Sequence, residues 1–549
     1  MAGLKSLAKD TAVYGLSSIL GRFLNYLLVP LYTAVLSAAS GGYGVVANVY
    51  AYTALILVLL TFGMETGFFR FANKKEGDSQ QVYANAMLFV GGLSLLFWIL
   101  GMTFLGPIAG FMEYPDHRDY IAMMMTVVAM DSFQCIPFAY LRYKKRPIKF
   151  AGIKLLNIAG NIALNLFFLL LCPWLMKHAP STVDWFYDPD YQVGYIFVSN
   201  LMMSSLQLLF FIPEFRGFKY RIDPKLMKEM VGYSFPILIF GLVGILNQTI
   251  DKMIYPFLFD DRQEGLVQLG IFSACSKVAL VMAMFTQAFR YAYEPFVFAM
   301  SKGKTAKAAA PTEKQQKQGS EVKQRAVIDS TAAINSTTAK TLEAEKAQQS
   351  DLETKQEGEK KMQSMVMKFF FIFALVAFLV IMAYMDILRY IIASDYWEGL
   401  IVVPIVMGSE IFKGIYFNLS FWYKLTDDTK WGAYFSLIGC AVILSLNIWL
   451  VPRYGYVASA WASFTGYAII TLLSYVIGQK HYPVKYPLKD MAIYLGLAAV
   501  LYVLMVVVHP ENVIVRLGFN SLLLLAFVGL VVKKDFPLRS IPVIGRFFR

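Results

Sequence analysis

Long apolar segments separated by short, mostly basic loops constrain this chain more than any other feature. A helix needs roughly 20 apolar residues to cross the hydrocarbon core of a bilayer, which is about 30 Å thick. The chain is 57% hydrophobic and 16% charged, whereas a soluble domain is about a quarter charged. The sequence therefore predicts an all-α integral membrane protein.

About fourteen transmembrane helices are predicted from the lengths of these segments. The predicted spans lie near residues 12–35, 43–66, 83–108, 119–141, 151–173, 192–213, 231–258, 269–298, 366–386, 399–422, 432–451, 456–478, 490–508 and 514–532.

Basic residues are concentrated in alternate loops. The formal net charge is +13. The positions of the basic residues fit the excess of Lys and Arg that is found in cytoplasmic loops, so no nucleic-acid partner is needed to explain the charge. One set of loops contains the clusters at 142–149 and 216–228; the other set contains only Arg118, Lys177, Arg262, Arg389, Arg453 and Arg516. The first set is therefore predicted to be cytoplasmic, together with both termini.

Residues 301–363 differ from the rest of the chain. They are rich in Lys, Ala, Gln, Glu, Thr and Ser and contain no aromatic residue, so they cannot bury a core. We expect a solvated cytoplasmic linker whose later part, from about Thr341, is helical and continuous with the next span. The alternative is a docking segment for a partner enzyme.

A weak internal similarity links the two parts of the chain on either side of this insertion. Tyr43-Gly44 in the second span matches Leu269-Gly270 in the eighth, and Asn165, followed by Pro173, matches Asn447, followed by Pro452. If this similarity reflects duplication, units of six spans repeat in parallel, as in many transporters. Chance similarity among apolar segments is the alternative.

Charged residues inside the predicted spans are the candidates for function, because an ionised side chain at mid-membrane tends to face a bundle interior or a wet cavity. The predicted substrate-binding cations are Arg22, Lys277, Lys413, Arg290 and Lys252. The predicted coupling or structural acids are Asp131, Asp251, Glu410, Glu65 and Glu294.

The spacing of these charges separates two cases. Arg22 and Lys277 have no opposite charge three or four residues away on their own helices, which favours a cavity role. Glu410 and Lys413 are three residues apart and can neutralise each other in a structural salt bridge. A cationic cavity suits an anionic headgroup such as a phosphate.

No metal or nucleotide cofactor is expected. The four cysteines and four histidines are dispersed, without the close spacing of metal or redox sites. Gly303-Lys304-Thr305 resembles the end of a Walker A loop, but the required upstream glycine is Phe298. The remaining source of energy for transport is a gradient of Na⁺, H⁺ or another ion.

Several motifs together resemble those of one family. They include Gly21-Arg22 with Pro30, Tyr43-Gly44, Phe62-Gly63-Met64-Glu65, Asp251, Gly270-Ile271-Phe272-Ser273, residues 416–426, Asn447, residues 451–456 and Ala460-Trp461-Ala462. The chain resembles the polysaccharide biosynthesis (Wzx-like) flippases of the multidrug/oligosaccharidyl-lipid/polysaccharide exporter superfamily. The resemblance covers nearly the whole chain except residues 301–363.

This resemblance implies two six-helix lobes around a cationic cavity, plus two C-terminal helices, with alternating access to the two sides of the membrane. The implied organisation is an N-terminal lobe at 1–215, the first two helices of the C-terminal lobe at 216–300, the insertion at 301–363, the other four helices at 364–480, and two additional helices with a basic tail at 481–549. Arg22 matches an arginine that related flippases carry in their first helix.

The implied function is translocation of lipid-linked, undecaprenyl phosphate-type oligosaccharides across the bacterial cytoplasmic membrane for O-antigen, capsule or exopolysaccharide synthesis. The expected partners are that anionic substrate, membrane lipids and polysaccharide assembly enzymes. Alternatives are a lipid II flippase or a cation-coupled drug exporter of the same superfamily, a membrane glycan ligase or polymerase, and a scaffold for glycan enzymes. No enzymatic activity is expected.

Overall fold

A computed structural model describes residues 20, 23–24, 26–74, 79–218, 220–290, 331–425, 428 and 430–535, with the backbone alone at 331–353, 355 and 425. These residues form helices and connecting turns, with no β-strand among them. The all-α prediction is therefore confirmed for this part of the chain.

The helices are numbered here in chain order. They are α1 (Leu28–Val35), α2 (Gly42–Thr61), α3 (Met64–Ala72), α4 (Ser79–Thr103), α5 (Leu105–Phe111), α6 (Arg118–Tyr143), α7 (Pro147–Leu166), α8 (Cys172–His178), α9 (Gln192–Leu209), α10 (Ile212–Phe215), α11 (Pro224–Ile254), α12 (Arg262–Val278), α13 (Leu280–Arg290), α14 (Thr331–Ala383), α15 (Met385–Leu388), α16 (Val403–Leu419), α17 (Phe421–Leu425), α18 (Lys430–Tyr454), α19 (Tyr456–His481), α20 (Leu488–Val507) and α21 (Val513–Asp535).

Eleven of the described segments are long and apolar enough to cross a membrane, and up to 12 if α12 and α13, bent by 52°, form one broken span. The protein is therefore a multi-pass membrane protein. The predicted count of fourteen is not confirmed. Much of the first predicted span lies outside the described residues. Helix α9, which corresponds to the sixth predicted span, is not among the candidates, because polar residues such as Ser199, Asn200 and Ser204 interrupt its apolar sequence.

Local sequence determines where several helices begin and end. Asp223 precedes α11, and its side chain accepts hydrogen bonds from the backbone N–H groups of Lys225 and Leu226 at 3.0 and 3.2 Å, while Pro224 occupies the first helical position, where no N–H donor is needed. Between α2 and α3, Phe62 and Gly63 adopt φ angles of 54° and 67°. This left-handed pair ends α2 and lets the span restart as α3.

The insertion ends in a long helix. Helix α14 runs without interruption through 53 residues, of which Gln356–Ala383 form the candidate span. The expected continuity with the next span is confirmed, and the helix begins earlier than Thr341. At 1.5 Å per residue, the part before the span is roughly 40 Å long. Residues 301–330 lie outside the described part of the chain.

The chain divides into two compact units. The first comprises Met1–Leu280, Asp386–Ser409 and Ala433–Gly466; the second comprises Val281–Met385, Glu410–Gly432 and Tyr467–Arg549. The predicted division into two six-helix lobes stays a prediction.

In the first unit, α2 packs closely against α11 and α12. A Cβ atom added to Gly44 would lie 1.9 Å from the Leu266 carbonyl oxygen, and one added to Gly270 would lie 3.1 Å from the Gly44 nitrogen. The absence of side chains at these two positions therefore permits backbone contact between α2 and α12. The Asn48 amide also donates to the Lys252 carbonyl of α11 at 2.7 Å.

The same end of α2 is tied to the loop that precedes α6. The buried Tyr114 hydroxyl donates to the Asn48 Oδ1 atom at 3.1 Å, and the Arg262 guanidinium lies 4.3 Å from the centroid of the Tyr114 ring. Burial raises the pKa of the Tyr114 hydroxyl, although Arg262 acts in the opposite direction. The hydroxyl therefore stays neutral and remains a donor.

In the second unit, the two C-terminal helices pack against α14 at both of their ends. Lys368 of α14 forms ion pairs with Asp490 of α20 at 2.8 Å and with Asp535 of α21 at 2.6 Å. At the other end, the Asn520 amide donates to the Ala383 carbonyl at 3.1 Å. These contacts hold α14, α20 and α21 together as one group.

Candidate functional site

Lys277 is a half-buried cation near the C-terminus of α12, which ends at Val278. No hydrogen bond or ion pair joins its ammonium group to another residue in the described part of the first unit. The last helical turn favours a cation, because the unpaired carbonyl groups there carry partial negative charge. Lys277 is therefore positioned as a cation without a carboxylate partner among the described residues.

Lys252 is compensated by its neighbour in sequence. Its Nζ atom lies 3.3 Å from the Asp251 carboxylate and donates to the Gln248 carbonyl at 3.1 Å. The structure thus pairs a predicted cation with a predicted acid near the end of α11. Of the predicted site residues on α11 and α12, Lys252 and Lys277 are cations and Asp251 is a buried carboxylate, so these three residues together carry positive charge.

Glu410 and Lys413 form the salt bridge expected from their spacing. The Lys413 Nζ atom lies 3.1 Å from Glu410 Oε1, and both side chains are 17% exposed. Lys413 also lies 5.6 Å from the centroid of the Tyr467 ring. The pair is therefore compensated within the second unit, which favours a structural role for both residues over the cavity role predicted for Lys413.

Glu65 also has a structural partner. Its carboxylate accepts a charge-assisted hydrogen bond from Arg142, the penultimate residue of α6. The Arg142 guanidinium also lies 5.1 Å from the centroid of the Phe69 ring. These contacts connect α3 to α6 in the first unit and account for the charge of Glu65 without a ligand.

Asp131 is an acid of a different kind. Its Oδ1 atom accepts a hydrogen bond from the Ser204 hydroxyl at 2.8 Å, and no cation pairs with it within the described ranges. Nearby, Gln134 donates to the Ser204 carbonyl at 3.1 Å and accepts from Gln207 at 2.7 Å. A chain of polar side chains therefore connects α6 and α9, with one ionisable carboxyl in it.

A small pocket lies within the second unit, between α13, α14, α16 and α17. Two cations line it: Arg290, the last residue of α13, and Lys424 of α17. Thr286 and Asn418 add polar groups. The Asn418 amide donates to the Gly414 carbonyl at 3.0 Å, which orients its side chain.

Phenylalanine rings form the apolar walls of this pocket. The Arg290 guanidinium lies 4.9 Å from the centroid of the Phe417 ring, and Lys424 Nζ lies 5.0 Å from that of Phe421. Aromatic faces stabilise cations. The pocket therefore combines basic side chains with an apolar surface.

Two predicted site residues, Arg22 and Glu294, lie outside the described residues. Among the others, the structure pairs Lys252 with Asp251 in the first unit and Glu410 with Lys413 in the second. Arg290 lines the pocket of the second unit.

Sequence reasoning did not single out Lys424, Asn418 and Thr286 as site residues. A signal was present, because Gly414, Phe417, Asn418 and Phe421 have the spacing of one helical face, and Thr286 lies four residues before Arg290. The long segment between α13 and α16 hides the proximity of these two faces, which only the tertiary structure reveals.

Metal-binding groups were not found in the described ranges, where no three His, Cys, Asp or Glu side chains are arranged to hold an ion. Cys135, Cys172, Cys275 and Cys440 are free, and Cys172 and Cys275 are buried. Their environment is that of small apolar side chains.

Comparisons with known proteins identify the family. A sequence profile of the polysaccharide biosynthesis proteins matches residues 7–292, which is more than half of the 549 residues. The chain belongs to the polysaccharide biosynthesis protein family. A search of curated protein sequences finds no significant match.

Solved structures of similar fold include the lipid II flippase MurJ in an inward closed conformation, with 14% identity, a TM-score of 0.62 and coverage of 94% of this chain and 99% of MurJ. An inward-facing MATE-family multidrug transporter of the MOP superfamily shows 12% identity, a TM-score of 0.53 and coverage of 83% and 93%. The MATE multidrug transporter DinF-BH shows 14% identity, a TM-score of 0.51 and coverage of 85% and 94%.

These similarities confirm the resemblance noted in the sequence. The family is that of the polysaccharide biosynthesis proteins, and the fold is shared with MurJ and with the MATE-family transporters. Identities of 12–14% support a shared fold and do not specify a substrate.

Proposed function

We propose that this polysaccharide biosynthesis protein is a flippase that translocates lipid-linked, undecaprenyl phosphate-type oligosaccharides across the bacterial cytoplasmic membrane for surface polysaccharide synthesis. The observation that carries this proposal is the placement of Lys277. Its side chain is half-buried on α12, the first half of the bent helix pair, and it has no carboxylate partner in the described residues. Such a charge is tolerated where water or an anionic ligand reaches it.

An anionic substrate distinguishes this function from drug export. An exporter of organic cations needs uncompensated acids at the positions that contact its substrate. Among the predicted acids in the described part of the chain, Asp251, Glu410 and Glu65 are paired with cations, and Asp131 is the exception. Arg22 adds a second predicted cation from the sequence alone. The phosphate of a lipid-linked sugar is a natural partner for both cations.

A lipid II flippase is the second candidate, because the MurJ structure has a TM-score of 0.62 and is covered over 99% of its length. Both substrates carry anionic phosphate groups, so the cations do not distinguish the two candidate functions. A complementation assay distinguishes them. Rescue of a strain that lacks its oligosaccharide flippase, without rescue of one depleted of its lipid II flippase, supports the first candidate.

The role of the two cations is tested in the same complementation assay, with membrane levels measured by immunoblot. We expect Arg22→Ala to be inactive. Arg22→Lys should be partly active, because a forked contact becomes a point charge. Lys277→Ala should lower transport roughly 10- to 100-fold, which is the range for losing a charge-assisted hydrogen bond. Lys177→Ala, at an exposed lysine at the end of α8, is the matched control and should remain active. Full activity of the Arg22→Ala, Lys277→Ala double variant would refute the proposed site.

A further inference from the structure

Residues 389–402, which join α15 to α16, lie against the end of α1 within the first unit. The backbone N–H of Ala38 donates to the Asp395 carboxylate at 2.6 Å. The Tyr396 hydroxyl donates to the Leu36 carbonyl at 2.6 Å. These bonds connect positions that are 357 and 360 residues apart in the sequence. We call residues 389–402 the strap, because they fasten the end of one span to the beginning of another.

The strap also packs on α2 and α12. Cys275 of α12 is buried, and its Sγ atom donates to the Tyr396 carbonyl at 3.2 Å. Gly399 allows this approach, since a Cβ atom added there would lie 2.8 Å from the Cys275 Sγ atom. The buried Tyr396 ring meets that of Tyr43 in α2 edge to face, with centroids 6.2 Å apart. Cys275 therefore lies directly beneath the strap.

These contacts lie on the predicted outer side of the membrane. The strap lies between the ninth and tenth predicted spans and residues 36–42 lie between the first and second, so both belong to the loops with few basic residues. The Gln263 amide of α12 donates to the Ser40 carbonyl at 2.8 Å. Hydrogen bonds and packing thus join two outer loops of the first unit to each other and to α12.

The backbone of the strap gives it a way to move. Ser394–Val402 form a 3₁₀ helix of nine residues, whereas 3₁₀ helices longer than three or four residues are uncommon. This helix leads directly into α16. Because each residue rises about 2.0 Å in a 3₁₀ helix and about 1.5 Å in an α-helix, conversion to α-helix would shorten the segment by about 4 Å. Such a shift exceeds the tolerance of a hydrogen bond, so Asp395 and Tyr396 would lose their partners on α1 and the turn after it.

We propose that the strap is a gate on the outer side, which controls access from outside to the interior of the first unit. The structure holds it closed, with Asp395 and Tyr396 bonded beside α1, and conversion of Ser394–Val402 to α-helix opens it. The Asp395 carboxylate is exposed, so water can replace its bond when the strap opens. The proposal rests on the proposed function, since opening would release the translocated oligosaccharide outside.

Cys275 provides a native reporter of opening. In a full-length variant in which Cys275 is the only cysteine, a charged, impermeant thiosulfonate added to intact cells should react at a rate that follows the open population of the strap. Asp395→Ala removes a charged acceptor and should raise this rate roughly 10- to 100-fold. Tyr396→Phe removes a neutral hydrogen bond and should raise it roughly 2- to 10-fold.

Two controls accompany these variants. Asp260 is an exposed aspartate in the turn before α12, and Asp260→Ala should leave the rate unchanged. Asp395→Asn keeps an oxygen that accepts the Ala38 N–H bond, so its rate should stay closer to that of the wild type than the rate of Asp395→Ala. A wild-type rate in both Asp395→Ala and Tyr396→Phe would overturn the proposal. So would faster reaction that appears only together with a lowered melting temperature in detergent, because general unfolding would then explain it.

A disulfide between the strap and α12 tests whether opening is required for transport. In a disulfide, the Cβ atom of one cysteine lies about 3 Å from the sulfur of the other, close to the 2.8 Å between a Cβ atom at Gly399 and the Cys275 Sγ atom. With Cys275 as the only native cysteine, Gly399→Cys should stop transport in proteoliposomes on oxidation and regain it on reduction. The same variant with Cys275→Ser should not respond to the oxidant. Unchanged transport, with the disulfide verified by mass spectrometry, would exclude a gate here.

The two readouts separate the strap from the function on which it rests. If the strap variants change the reactivity of Cys275 but the wild type translocates no lipid-linked oligosaccharide in proteoliposomes, the flippase proposal fails and the opening of the strap stands. If the wild type translocates that substrate and the locked protein does so equally well, the gate fails and the flippase stands.

Discussion

Individual charges in this protein differ in whether the protein itself compensates them. Glu65, Asp251 and Glu410 each have a basic partner, so their place in the membrane needs no ligand. Asp131 has only the Ser204 hydroxyl as a partner within the described residues. The prediction that Asp131 is a coupling or structural acid therefore stays a prediction, and it differs from the other three acids in having no cation beside it.

Replacement of Asp131 by asparagine tests this coupling role. We expect Asp131→Asn to keep the bond from Ser204, because the amide oxygen accepts it, and so to keep the melting temperature within a few degrees of the wild-type value. Transport into proteoliposomes should lose its response to an imposed pH gradient, since the amide does not titrate. Unchanged pH-driven transport in this variant would exclude Asp131 as the coupling group.

At the scale of helices, small residues determine how closely α2 and α12 approach. Gly44 and Gly270 bring two backbones into contact, while Asn48 and Tyr114 add hydrogen bonds at the same end of α2. In the second unit the helices are held differently, because Lys368 forms ion pairs with α20 and α21. Backbone contact between α2 and α12 and charge pairing between α14 and the C-terminal helices are thus two different ways in which helices of this protein associate.

Gly44→Ala should disrupt the α2–α12 contact. The new Cβ atom would lie 1.9 Å from the Leu266 carbonyl oxygen, so the helices must separate, at a cost of about 1–3 kcal/mol. The matched control is Gly92→Ala on α4, where an added Cβ meets nothing within 4 Å and the helix gains stability from alanine. We expect a lower melting temperature in detergent for the first variant alone. Equal melting temperatures would show that the two helices separate without cost.

At the scale of the whole molecule, the arrangement of basic loops predicts how the chain is oriented in the membrane. Both termini and residues 301–363 are expected in the cytoplasm because the loops on their side carry most of the Lys and Arg residues. The continuity of α14 with the span at Gln356–Ala383 means that the insertion leads directly into the membrane. Its orientation therefore depends on that of the span.

Labelling of single cysteines in a variant lacking the four native ones tests this orientation. With an impermeant thiol reagent applied to intact cells, a cysteine at Ser181, in the exposed loop after α8, should react, and one at Ser320 should react only after the membrane is opened. The reason is that the two positions are predicted to lie on opposite sides of the bilayer. Labelling at Ser320 in intact cells would invert the orientation.

The sequence by itself determined the class of the protein, the helical nature of its segments, the continuity of the insertion with a span and the Glu410–Lys413 pair. These features depend on hydrophobicity and on spacing within one helix, which are local properties. Tertiary structure alone decided that Glu65 meets Arg142 and that Asp131 meets Ser204. It also brought Thr286 and Arg290 together with Asn418 and Lys424 around one pocket. These contacts join helices that are far apart in the sequence, and their pairing follows from how whole helices pack, which no local pattern specifies.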